Sequence, residues 1–254
     1  MKSNNWTREE LIVAFNLYCK IPFSKTVKTN PEIVNVANLI GRTSSAVAFK
    51  LGNFGSFDES LKKRGIKGLP NTSKLDREIW DEFHTNWDKL AYESELLIAK
   101  FANKRIEENN EINLLDIPIG KERESLIKAR VNQNFFRSVI LSSYNSKCCI
   151  TGLNIPDFLI ASHIVPWKDD VENRLNPRNG LCLNSLHDKA FDKGFITITP
   201  DYKIKVSKCF EEFGDKTIVN DFFLKYENMP IILPDKFPPD KKFLDFHYKS
   251  IFRK

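Results

Sequence analysis

An α+β fold, helices first and a small strand-containing unit after them, is what this 254-residue sequence predicts. Three observations carry that expectation. From Trp6 to about Asn109, apolar residues recur at three- and four-residue spacing between capping residues. Between Phe158 and Gly194 the pattern becomes strand, charged loop, strand and short helix. From Phe195 to Val206, apolar and polar residues alternate around Pro200-Asp201, as in a hairpin.

The helical part begins with Thr7 and Glu10, spaced as a capping box, and continues through Leu11, Phe15 and Tyr18. A loop runs from Pro22 to Pro31. Ile33, Val36, Ala37 and Ile40 mark a second helix, which Gly41-Arg42-Thr43 breaks. Ser44 to Leu51 starts a third, with Ala46, Val47 and Leu51 on its core face. Helix, glycine turn, helix resembles a helix-turn-helix, whose second helix would face a DNA major groove. The candidate DNA contacts are Arg42, Ser44, Ser45, Lys50 and Asn53. A helical scaffold that touches no nucleic acid is the alternative. Lys62, Lys63, Arg64 and Lys67 form a basic run, either a solvated loop or a phosphate clamp.

Helical spacing resumes at Ser73, with Trp80, Phe83, Trp87, Leu90, Leu97 and Phe101 expected in packing. A linker is expected at about 105–120, which gives a module at 1–68, a helical connector at 69–120 and a second domain at 121–254. Arg123 to Tyr144 reads as a helix. Its apolar side (Phe135, Phe136, Val139, Ile140, Tyr144) is expected to pack on the strand-containing unit. Arg130, Gln133 and Arg137 share the polar side and suit either phosphates or internal ion pairs.

Composition narrows the class. Hydrophobic residues make up 41% of the chain, enough for packed cores. The net charge of +6 suits an anionic partner. No apolar run approaches a membrane span, and the N-terminus has no apolar signal core, so the expected location is the cytoplasm. Five cysteines, an odd number, argue against a disulfide framework and for buried free thiols.

The chemistry gathers between Ser162 and Asp192. His163 ends an apolar run at a strand end. Asn184 or Ser185 caps the helix that follows, and Gly194 ends it. On that helix Asp188 and Asp192 are four apart and share a face, an arrangement that can hold a divalent cation. Asn179 opens the second strand and can hydrogen-bond the histidine or its loop. A base beside a Lewis acid can activate water against a phosphodiester. The plainer readings are a structural histidine, a solvated acidic face beside Lys189 and Lys193, and a turn at Asn179-Gly180.

Two motifs add a resemblance: Ala161-Ser-His-Ile-Val-Pro-Trp167, and Asn179-Gly-Leu followed by Leu186-His-Asp-Lys-Ala-Phe-Asp-Lys-Gly194. With Tyr144, Cys149-Ile-Thr-Gly152 and Asn132-Gln133-x-Phe135-Phe136-Arg137 upstream, this constellation resembles the HNH nucleases of the ββα-metal fold. The resemblance covers about Arg130 to Val206 and extends to the proline-containing tail, which would wrap the domain with His247 in a structural role.

The resemblance implies a C-terminal HNH nuclease domain with His163 as general base and Asn179 as the residue that orients it. Asp188 and Asp192 match the metal ligands in register. His187, one residue off, matches the histidine of the Leu-His pattern and is either a ligand or a supporting group. Ser162 stands where many relatives carry an acidic residue or a histidine, and would be a weak ligand. Oxygen-rich ligation favours Mg²⁺ or Mn²⁺, while a histidine ligand would admit Ni²⁺ or Zn²⁺. Hydrolysis of double-stranded DNA in bacterial restriction or anti-phage defence is the implied role, with a homodimer as a route to cutting both strands. The other readings are a non-catalytic DNA-binding regulator and an RNA-cleaving nuclease.

Overall fold

The computed structural model describes residues 5–110, 120–212 and 216–254. The expected linker at 105–120 falls largely on 111–119, outside the described residues. The chain divides into two compact units, Met1–Ser142 and Ser143–Lys254.

The N-terminal unit is built around α1 (Arg8–Lys20), whose residues from Glu10 to Cys19 are all buried. Its start is fixed by a capping box. The Thr7 hydroxyl accepts from the Glu10 amide at 3.2 Å, and the Glu10 carboxylate accepts from the Thr7 amide at 3.0 Å. Then come α2 (Pro31–Ile40), α3 (Ser44–Gly55), α4 (Glu59–Lys63), α5 (Lys74–Phe83), α6 (Trp87–Phe101), α7 (Ile106–Asn109) and α8 (Lys121–Ser143). Helices α2, α3, α5 and α6 pack against α1. Gly41 closes α2 at φ 68°, a left-handed conformation that a side chain would strain. Phe15 packs its ring against Phe54 at 5.0 Å and Trp80 at 5.4 Å. Trp80, Phe83, Trp87 and Leu90 are therefore core residues, as their spacing predicts.

Two of the expected DNA contacts make ion pairs within the unit. Arg42 pairs with Glu10 at 2.7 Å, and Lys50 pairs with Asp76 at 2.8 Å. Both cations also stack on Trp6, at 5.1 and 5.4 Å. The physical reason is that Glu10 and Asp76 are buried, and a buried carboxylate requires a partner. Asn53 is buried too and donates to the Asn71 carbonyl at 3.1 Å. Ser44 and Ser45 remain half-exposed, and Arg130 and Arg137 lie on the exposed side of α8. The Arg130 guanidinium donates to the Gln133 side chain at 3.2 Å.

In the C-terminal unit β1 (Leu159–His163) pairs antiparallel with β2 (Gly180–Asn184), with Leu159 opposite Asn184 and His163 opposite Gly180. Helix α9 (Ser185–Asp192) follows at once, because Asn184 caps it by accepting from the His187 amide at 2.9 Å. At Gly194, φ 74°, an added Cβ would lie 2.2 Å from the Ile251 carbonyl oxygen, so only glycine lets the C-terminus pass here. A second hairpin joins β3 (Ile196–Ile198) to β4 (Ile204–Val206), followed by α10 (Lys216–Phe222) and α11 (Lys241–Ser250).

The tail packs back on this unit through His247. Its ring stacks on Phe191 at 3.7 Å, its Nε2 donates to the Phe191 carbonyl at 3.1 Å, and its Nδ1 accepts from Thr197 at 2.7 Å. Burial lowers its pKa to about 4, so it is a neutral structural histidine. All five cysteines are free thiols. No helix among the described residues is long and apolar enough to cross a membrane.

Candidate active site

Strand β1 delivers His163, and α9 delivers Asp188 and Asp192, to one cavity of about 710 Å³ in the C-terminal unit. The carboxylates stand one helical turn apart, roughly 6 Å along the axis. Ser162 lines the same cavity, and Lys168, Lys189 and Lys193 supply its positive charge.

His163 is held from behind. Its Nε2 lies 2.8 Å from the Arg174 carbonyl oxygen, which can only accept. The proton therefore sits on Nε2 and the lone pair on Nδ1. Burial lowers the pKa of this imidazole, against the Arg174 carbonyl and the charge of Asp192, both of which raise it. The ring is thus kept neutral and able to accept a proton.

Asn179 acts on the loop rather than on the ring. It is fully buried. Its Oδ1 accepts from the Val165 amide at 2.8 Å, and its Nδ2 donates to the carbonyls of Val165 and Asn173 at 3.2 and 3.3 Å. The loop between the strands is wound by Asp170, Asn173, Asn176 and Asn179, spaced by three. Asn173 donates to Asp170 at 2.8 Å, Asn176 donates to Asn173 at 2.9 Å, and the Asn179 amide donates to the Asn176 carbonyl at 2.8 Å.

Arg174 then closes the loop. Its Nε donates to the Trp167 carbonyl at 2.6 Å, and its guanidinium lies 5.0 Å from the Trp167 ring, whose edge meets the His163 ring at 5.5 Å. Sequence reasoning assigned Arg174 no role, although the three-residue Asp/Asn spacing was there to be read.

The two carboxylates differ from free ones. Burial raises the pKa of Asp188; the Ser162 hydroxyl and Lys189 oppose that, and Asp192 adds to it. Burial also raises Asp192, against Lys189, His163 and Lys193. Ser162 Oγ is buried, makes no hydrogen bond of good geometry, and still lies near enough to Asp188 to lower its pKa. Such a hydroxyl, beside two carboxylates that burial leaves under-compensated, suits a hard cation that keeps several waters and takes one or two carboxylates. Among the described residues, no three His, Cys, Asp or Glu side chains are grouped closely enough to enclose an ion by themselves. Asp188, Asp192 and Ser162 therefore fit an open, oxygen-lined divalent-cation site.

His187 is not brought to this cavity. Its Nε2 donates to the Phe222 carbonyl at 2.8 Å, and its Nδ1 lies 2.9 Å from the Asn184 side-chain nitrogen. Phe223 and Tyr226 meet its faces at 5.6 Å each. Being one residue off the Asp188–Asp192 register turns it about 100° round the helix, into the core. Arg130 and Arg137, in the N-terminal unit, are not among the residues lining the cavity.

A strand pair and a short helix bring an imidazole and two carboxylates to one cavity, an arrangement of ββα form that can place a base beside a cation. Residues 148–199 match the family model of the HNH endonucleases, a span that includes His163, Asn179, Asp188 and Asp192. The matched stretch of the C-terminal unit is therefore an HNH endonuclease-type domain, a domain type that implies a nucleic-acid substrate. The match leaves the N-terminal unit outside it. No curated protein matches the chain.

Proposed function

We propose that the protein is a metal-dependent endonuclease that hydrolyses phosphodiester bonds in double-stranded DNA. The single observation behind this reading is the meeting of His163, Asp188 and Asp192 in one cavity with a lysine rim. His163 Nδ1 takes the proton of the attacking water, since Nε2 is committed to Arg174. Asn179 and Arg174 hold the loop so that this nitrogen keeps its aim. Lys168, Lys189 and Lys193 attract the phosphates flanking the scissile one. Asp188 and Asp192, with Ser162 beside them, would hold Mg²⁺ or Mn²⁺, which supplies positive charge for the phosphorane and the leaving oxygen.

In this reading the N-terminal unit supplies DNA affinity through Ser44 and Ser45 on α3 and through Arg130 and Arg137 on α8, while Arg42 and Lys50 support the fold. A cytoplasmic restriction or anti-phage role, with dimerisation to cut both strands, rests on the family resemblance alone. The test is nicking of supercoiled plasmid with Mg²⁺ or Mn²⁺, run beside an RNA of matched length. Metal-dependent plasmid nicking with little RNA cleavage is expected. Preferred RNA cleavage would make the protein a ribonuclease, and no cleavage of either would make it a non-catalytic binder.

A further inference from the structure

The N-terminal unit holds a second cavity, of about 670 Å³, unrelated to the hydrolytic centre. Its floor is one face of α3, where Ser45, Ala48 and Gly52 are small and Phe49 stands up as a wall. The opposite walls are the loop through Val27 and Lys28 and the segment from Lys67 to Leu69. Phe49 is 63% exposed and Val27 50%, an apolar surface that folding leaves uncovered.

The groove is built rather than collapsed. The Leu69 amide donates to the Gly52 carbonyl at 2.9 Å, and a Cβ on Gly68 would come within 2.1 Å of the Ser56 nitrogen, so this wall is locked against α3. Its charge is one-sided. Lys28 and Lys67 line it, and among the described residues no acidic side chain does. Lys62, Lys63 and Arg64 precede Lys67 in sequence.

We propose that this groove takes an unstacked nucleobase of the substrate strand, with its flanking phosphates on Lys28 and Lys67. An aromatic wall over a floor of small side chains suits the flat face of any base, and the lysines suit the anionic backbone. The inference rests on the nuclease reading of the C-terminal unit, and it adds a base-reading site on the other unit.

The full chain, in EDTA to prevent cleavage, is titrated with three duplexes of one sequence: fully paired, with a single-base bulge, and with that bulge made abasic. The bulged duplex should bind on the order of tenfold tighter than the abasic one, and Phe49→Ala should erase the difference. Lys28→Ala with Lys67→Ala should weaken all three and flatten the salt dependence by about 0.9 in log–log slope per lost contact. Equal affinity for bulged and abasic duplexes, the result if a protein segment fills the groove, overturns the proposal. So does a base preference that survives Phe49→Ala. A base preference in a protein that cleaves no DNA would refute the nuclease reading and leave the groove assigned.

Discussion

Asn179→Ala is the most informative single substitution, because it separates holding the base from being the base. It strands the Val165 amide, bonded at 2.8 Å, and the Val165 carbonyl, bonded at 3.2 Å, and removes a 3.3 Å bond from the Asn173 carbonyl, which keeps the Asn176 amide. Each buried group left without a partner costs about 1–3 kcal/mol, and the longer bond falls at the low end. The loss of stability should total about 3 kcal/mol. Asn179→Asp keeps the acceptor for the Val165 amide but aims a second oxygen at two carbonyls, so it should cost at least as much. A histidine displaced by about 1 Å loses on the order of 10²-fold in rate, and single-turnover cleavage should fall by that factor. Urea denaturation and single-turnover assays on the same preparations test both numbers. Stability within about 0.5 kcal/mol of wild type, or full activity in a destabilised variant, would refute this role for Asn179.

Other outcomes follow from the same geometry. Burial lowers the His163 pKa below its ordinary 6.5, so the single-turnover rate should climb with pH along a limb centred below 6.5 and then level off; a limb centred above 6.5, or one retained in His163→Ala, contradicts this. Asp188→Asn and Asp192→Asn should abolish Mn²⁺ binding by calorimetry, while His187→Ala lowers stability and leaves the affinity within a few-fold; loss of binding in His187→Ala alone would reverse the ligand assignment. Lys50→Ala strands the Asp76 carboxylate and should cost about 3–5 kcal/mol in stability; unchanged stability with weakened DNA binding would return Lys50 to the DNA surface.

What the sequence made legible was local. Capping by Thr7 and Asn184, the break at Gly41, the stop at Gly194 and the strand–loop–strand–helix order depend on neighbours within a few residues, and each appears in the fold. The i, i+4 spacing likewise put Asp188 and Asp192 on one face. What could not be read depended on distant partners. Arg42 and Lys50 look like groove contacts until Glu10 and Asp76, 32 and 26 residues away, take their charges. His187 reads as either a ligand or a supporting group until the Phe222 carbonyl, 35 residues on, engages its Nε2. The Asp170–Asn173–Asn176–Asn179 spacing was visible, but a charged loop with a proline reads as unstructured when its side-chain hydrogen bonds are unseen.

The central claim is that His163 is the proton acceptor of a metal-dependent nuclease. Plasmid nicking by His163→Ala, with Mg²⁺ or Mn²⁺ and with DNA binding measured in parallel, tests it most directly. The account predicts turnover reduced by roughly 10²–10⁴-fold with DNA affinity retained. Near-wild-type nicking by this variant would contradict it.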